Sequence, residues 1–136
     1  KKTRTQVTGR FLDLDGDYET LSEVEFTGYE IHMGDSVRRN PAKPCTSVRD
    51  EVMGKEKTEG TFTRNVCGTY VHGIFDKEET ALALIRAAGK KKGVDVSRME
   101  GVDFASFKEQ QYDILAAELR KHLDMKKIYE ILEQGV

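Results

Sequence analysis

The chain has 136 residues, and its 22 lysines and arginines against 24 acids leave a formal net charge of −2. That balance supplies no broad electrostatic footprint for nucleic acid or an anionic membrane, and no apolar run approaches the roughly 20 residues that span a bilayer. With 38% hydrophobic and 34% charged residues, the composition is that of a soluble globular protein, and the length fits one domain around one core. Nothing at the amino end resembles a signal peptide, since its basic residues precede no apolar stretch. The sequence also lacks an initiating methionine, so it is expected to be a piece of a longer protein or a processed chain. Cys45 and Cys67 form neither a disulfide framework nor a zinc signature, so both are expected as free thiols in a reducing cytoplasm.

In chain order, the first third has the pattern of β structure. "TRTQVTGRFLDL" sets Val7, Phe11 and Leu14 among polar residues, "DGD" at 15–17 offers hairpin turn chemistry, and "SEVEFTGYEIHMG" alternates again. Two antiparallel strands are the simplest account. Asp13, Asp15 and Asp17 alternate as in a calcium loop, but Tyr18 stands where that loop needs glycine. The segment from Gly34 to Pro44 holds both prolines and is expected as a loop. Short β runs follow in "CTSVRDEVM" and "GTFTRNVCGTYVHG", with the charged "GKEKTEG" between them expected as an exposed turn. The sheet then has about five strands by this strand-pattern count.

Beyond His72 the pattern turns helical. Asp76 is placed to cap "KEETALALIRAAGKK", with Glu79 completing the start and Gly89 or Gly93 the end. Lys90, Lys91 and Lys92 are expected to complement the helix carboxyl end and stay solvated. A second helix is expected over "DFASFKEQQYDILAAELRKHL", where Phe104, Phe107, Tyr112, Leu115, Leu119 and Leu123 share a stripe. A third starts at Asp124 and is expected to bury Ile128, Ile131 and Leu132. There is no internal repeat, low-complexity tract or flexible linker.

No nucleophile elbow of the G-x-C-x-G or G-x-S-x-G kind is present, and no glycine-rich phosphate cradle. Cys67 precedes His72 by five residues, an odd separation that puts the two on opposite faces of a continuous strand, so Cys67 is expected as a packed thiol. Glu30 and His32 alternate on one strand face and suit either a hydrogen-bonded pair, an acid–base pair or part of a metal site, though no third ligand is in view. His122, near a helix carboxyl end, is expected at the surface. His72 ends a strand with a glycine directly behind it, which exposes an imidazole at the sheet edge as a base for a nucleophile from another segment. The alternative is a structural histidine.

Together "TQVTGRF", "GYEIHMG", "CGTYVHGIFD" and "QYDILAAELRKHLDMKKIYEIL" resemble the carboxyl-terminal part of the cobyric acid synthases, glutamine-dependent amidotransferases of cobalamin biosynthesis. The likeness covers nearly the whole chain in the right order. It implies an α/β fold, part of a class I glutamine amidotransferase-like (flavodoxin-like) domain, with mostly antiparallel or mixed strands in the first half and three helices in the second. All of residues 1–136 then belong to the carboxyl-terminal portion of that glutaminase domain. The resemblance implies His72 as the catalytic base, Glu30 and His32 near the site, and glutamine as substrate. It places the nucleophilic cysteine upstream in a glycine-rich elbow that neither Cys45 nor Cys67 matches. Class I relatives follow the histidine with proline and glutamate, where this chain has Gly73 and Ile74. Cofactors are expected only outside the chain, as ATP and magnesium in an amino-terminal ligase domain, and that amino-terminal part is the expected partner. Self-association is expected too, because losing the upstream strands leaves an apolar sheet edge or face uncovered. The competing expectation is a non-catalytic amidotransferase-like interaction module.

Overall fold

The computed structural model describes residues 2–135 and divides the chain into two compact units, Lys1–Val102 and Asp103–Val136. The first unit is built on β1 (Lys2–Phe11) and β2 (Glu25–Met33), long antiparallel strands in which Val7 faces Gly28 and Gly9 faces Phe26. Alternation sends Val7, Phe11 and Phe26 into the core and leaves Arg4, Gln6, Thr27 and Tyr29 exposed. The rings of Phe11 and Phe26 meet edge to face at 5.3 Å.

The connection between these strands is not a tight hairpin at 15–17. Gly16–Leu21 forms a short 3-10 helix instead, and Leu14 and Leu21 are buried beneath it. Two apolar side chains flanking the "DGD" turn chemistry are worth more in the core than a two-residue turn can deliver, so the loop folds back over the sheet.

Beyond the proline-rich loop come β3 (Thr46–Asp50), β4 (Glu56–Glu59), β5 (Thr61–Thr63), β6 (Val66–Gly68) and β7 (Val71–His72). They form a five-stranded sheet ordered β4-β3-β1-β2-β7 and a two-stranded β5-β6 sheet, with every pairing antiparallel. The expected exposed turn "GKEKTEG" is mostly strand β4, paired to β3 with Thr46 opposite Glu59. Charged residues suit an edge strand because they repel further pairing, so charge alone did not separate edge from turn. The core closes with Val48, Phe62, Val71 and Ile74.

Helix α1 (Glu78–Lys92) completes this unit, burying Thr80, Ala83 and Ala87. Asp76 does not cap it. The N-cap position is Lys77, and the Asp76 backbone N–H donates to the Gly73 carbonyl in a turn ahead of the helix. Gly93, in the left-handed region, ends it rather than Gly89. Lys91 pairs with Asp17, and the Lys90 Nζ lies 3.8 Å from Glu19.

The second unit consists of α2 (Phe104–His122) and α3 (Met125–Gln134). Asp103 caps α2 by accepting from the Ser106 N–H at 3.1 Å, and Asp124 caps α3 by accepting from the Lys127 N–H at 3.0 Å. Neither helix has a buried residue. The expected burial of Ile128, Ile131 and Leu132 is therefore corrected: Ile128 is half-buried, while Ile131 and Leu132 are 45% and 69% exposed. Periodicity gives a helix its apolar face, but something must lie against that face to bury it. No helix among the described residues is long and apolar enough to cross a membrane.

Candidate active site

Strand β7 is two residues long and lies at the sheet edge, hydrogen-bonded to the middle of β2. Its register sets His72 beside Tyr29 and Val71 beside Glu30. The pleat therefore divides the two residues: Val71 is buried in the core, and His72 stands exposed on the opposite face with Tyr29, itself 53% exposed. Two glycines make this possible. A Cβ at Gly28 would collide with the His72 carbonyl oxygen, so the close approach of β7 to β2 needs glycine there. Gly73 turns the chain immediately after His72 at φ +76°, a left-handed conformation that other residues rarely adopt. Among the described residues no side chain hydrogen-bonds the His72 imidazole, and Ile74 is committed to the core, 4% exposed.

Glu30 and His32 lie on the other face of β2. The Glu30 side chain is 2% exposed, and its Oε1 accepts from His32 Nε2 at 2.8 Å and from Lys57 Nζ at 2.6 Å. Because a carboxylate only accepts, this contact assigns the proton to Nε2. His32 Nδ1 is then a buried atom without a partner among the described residues. The His32 ring stacks on Tyr70 with centroids 4.3 Å apart. A second buried acid, Glu59, accepts from Thr46 Oγ1 at 3.0 Å, from Thr69 Oγ1 at 2.5 Å and from the Tyr70 N–H at 2.6 Å. These groups line a cavity of about 350 Å³ whose walls include Glu30, His32, Arg38, Lys57, Glu59 and Tyr70, and to which His72 contributes no side chain.

The structure thus joins Glu30 to His32, as strand alternation suggests, and separates both from His72 by the thickness of the sheet. Lys57 and Glu59 escaped the sequence reading because they sit in "GKEKTEG", whose charge reads as solvent-facing. Only the pairing of β4 with β3 turns Glu59 inward. Among the described residues no group of three or more His, Cys, Asp or Glu is arranged to hold a metal ion.

The two cysteines are free, Cys45 buried and Cys67 half-buried. The Cys45 thiol lies 3.3 Å from the Gly68 carbonyl oxygen, to which it donates; the neighbouring sulfurs hold Cys45 below its ordinary range and push Cys67 up, with burial raising Cys67 further. Cys67 lies on β6 of the small sheet and His72 on β7 of the large one, so parity along one strand is not the reason the two stand apart. His122 is exposed, with Nε2 3.6 Å from Glu118 Oε2.

Compared with known proteins, residues 1–80 match the CobB/CobQ-like glutamine amidotransferase domain. Cobyric acid synthase of Ruminiclostridium cellulolyticum is 41% identical over 138 residues, covering 100% of this chain and 27% of the relative. That of Lachnoclostridium phytofermentans is 38% identical over 100% of the chain and 28% of the relative, and that of Citrobacter koseri 34% identical over 98% and 26%. This chain therefore spans little more than a quarter of the length of these relatives. No solved structure matches it significantly.

Proposed function

The chain belongs to the CobB/CobQ-like glutamine amidotransferase family, and on that premise we propose that residues 1–136 are the carboxyl-terminal portion of a cobyric acid synthase glutaminase domain, with His72 as its base. The observation that carries this reading is the setting of His72: an exposed imidazole on an edge strand, inside the matched residues, followed by a glycine turn. The wider domain is a class I, flavodoxin-like one, to which the antiparallel sheet described above contributes its last strands.

In this reading His72 takes the proton of a cysteine thiol supplied by another segment of the same protein. The thiolate attacks the side-chain carboxamide carbon of glutamine, ammonia leaves with the returned proton, and water hydrolyses the resulting thioester to glutamate. Neither Cys45 nor Cys67 is that nucleophile, since neither lies in a glycine-rich elbow. Glu30 and His32 lie near the site through the strand they share with Tyr29, where they anchor β2 from its buried face. The ammonia goes to carboxylates of adenosylcobyrinic acid a,c-diamide in cobalamin biosynthesis. ATP and magnesium serve that amidation in the amino-terminal ligase part, the partner of this chain, in the cytoplasm.

The test is a paired assay of His72→Ala in the longer protein, fed with glutamine and separately with ammonium, together with its melting temperature. Glutamine-dependent amidation should fall by several orders of magnitude, because losing one member of a catalytic unit removes most of its effect. Ammonium-dependent amidation should survive, since the ligase step needs only an amine. Equal losses in both assays, with a lowered melting temperature, would return His72 to a structural role. The isolated chain should release no ammonia from glutamine above the buffer rate. Release that persists in His72→Ala would favour a different catalytic group, and a wild-type level in the full assay would favour a non-catalytic module.

A further inference from the structure

Strand β7 is too short to place its own histidine. It pairs with β2 over two residues, and among the described residues no side chain holds the His72 imidazole, unlike those of His32 and His122. The position of that ring is therefore set by the backbone leading into it. In the order β4-β3-β1-β2-β7, the strand carrying Glu59 and the strand carrying His72 are opposite edges of the sheet. Glu59 is nonetheless the acceptor for the residues just before His72. Its Oε1 takes the Tyr70 N–H at 2.6 Å, and its Oε2 takes the Thr69 hydroxyl at 2.5 Å. The Thr69 oxygen in turn accepts the Val71 N–H at 3.0 Å. Two successive backbone donors, at 70 and 71, are thereby tied to one carboxylate, the first directly and the second through a hydroxyl. Thr46 Oγ1 fixes the acid from β3 at 3.0 Å, and Glu59 is 5% exposed. A buried polar chain whose members are all paired is stiff, because each bond polarises the next and an unpaired member there is costly.

We propose that Glu59 is a positioning residue for His72, acting through Thr69 and the backbone of Tyr70 and Val71; this inference rests on the reading of His72 as the glutaminase base. A two-residue edge strand followed by the left-handed turn at Gly73 does little by itself to stop the histidine from sliding along β2. The Glu59 contacts remove that freedom immediately upstream, from the buried face, and leave the imidazole open on the other. A base must lie within hydrogen-bond reach, about 2.6–3.2 Å, of the proton it takes, and a misplacement of about 1 Å costs on the order of a hundredfold in rate. Proton transfer feels such a displacement, whereas the ligase step with ammonium does not use the imidazole at all.

The experiment is steady-state kinetics of the longer protein with glutamine and, separately, with ammonium. It compares the parent with Glu59→Gln, Thr69→Val, Thr69→Ser, His72→Ala and the Glu59→Gln/His72→Ala pair, each below its melting temperature. Glu59→Gln keeps the volume but turns one acceptor into an amide donor that meets another donor. It should lower the glutamine-dependent kcat at least about thirtyfold, with KM for glutamine within about threefold and the ammonium-dependent rate within about twofold of the parent. Thr69→Val removes the relaying hydroxyl and should lower that kcat about tenfold, whereas Thr69→Ser keeps the hydroxyl and should stay within about threefold. The double variant should be no slower than His72→Ala alone, because a residue that acts through His72 then has nothing left to position. Parallel losses with glutamine and ammonium overturn the positioning role and leave Glu59 a stabilising one. So does a kcat unchanged in both Glu59→Gln and Thr69→Val, or a double variant that adds the full Glu59→Gln loss to that of His72→Ala, and in these cases His72 stays the base. A His72→Ala variant that keeps the glutamine-dependent rate removes the base assignment, and this inference with it.

Discussion

The two units of this chain treat their apolar residues in opposite ways. Residues 1–102 fold a sheet, a loop with a 3-10 turn and α1 around one core in which Val7, Phe26 and Val48 are no more than 2% exposed. Residues 103–136 form two well-capped helices with an equally periodic apolar stripe and bury nothing. The local signals are as good in the second unit as in the first. Capping and periodicity specify an element and the face it presents, whereas burial requires a second surface, which the long-range pairing of β1 with β2, β3 and their neighbours provides and a pair of successive helices does not.

The sharpest way to break this contrast is to make the same kind of truncation in both units. Phe26→Ala removes a ring packed against Phe11 and should cost about 3–5 kcal/mol of the stability of the sheet unit. Leu115→Ala removes a half-exposed side chain and should cost under about 1 kcal/mol at concentrations where the chain is monomeric. Urea titrations followed by circular dichroism measure both, and equal costs would mean that α2 is packed after all. A smaller effect is expected at the buried acid. Glu59→Ala leaves the Thr69 hydroxyl and the Tyr70 N–H without their carboxylate acceptor, while the Thr46 hydroxyl keeps the Glu59 backbone carbonyl, and should destabilise by roughly 1–3 kcal/mol. Hydrogen exchange should localise the loss to β3, β4 and the segment around Tyr70.

The smallest effect concerns the helix cap. Hydrogen bonds from the Ser106 hydroxyl and backbone N–H hold the Asp103 carboxyl below the usual carboxylate range. A carboxyl lowered on folding stabilises the folded form above its unfolded value of about 4, and this contribution is lost as pH falls through the folded value. Helicity of residues 104–122 should therefore decline below about pH 4. Asp103→Ala should lower helicity at neutral pH and flatten that decline, which ellipticity against pH will measure, while a titration indistinguishable from the parent would show that the cap contributes nothing.

How much of the site was legible depends on how far apart its members are in the chain. The strand–histidine–glycine pattern at 71–73 marks His72 because the edge strand and the turn are local properties. Glu30 and His32 were visible as a pair because two residues along a strand return to the same face. Lys57 and Glu59 were not visible, because a charged tetrapeptide becomes an edge strand with one acid turned inward only when β3 is there to pair with it. The loop at 12–24 failed as a hairpin for a related reason, since Leu14 and Leu21 find their burial against a core assembled from residues far away in the chain.

By itself, then, the sequence determined that strands come first and three helices last, the start of α3 at Asp124, the inward alternation of β1 and β2 and the exposed setting of His72, all of which follow from interactions within a few residues. Only the tertiary structure decided that β4 lies beside β3, that Lys57 completes the Glu30–His32 pair, that His72 and this pair occupy opposite faces of one sheet, and that neither α2 nor α3 buries a residue. Each of these rests on which distant surfaces meet, and the free energy of burial belongs to the meeting of two surfaces rather than to either one alone.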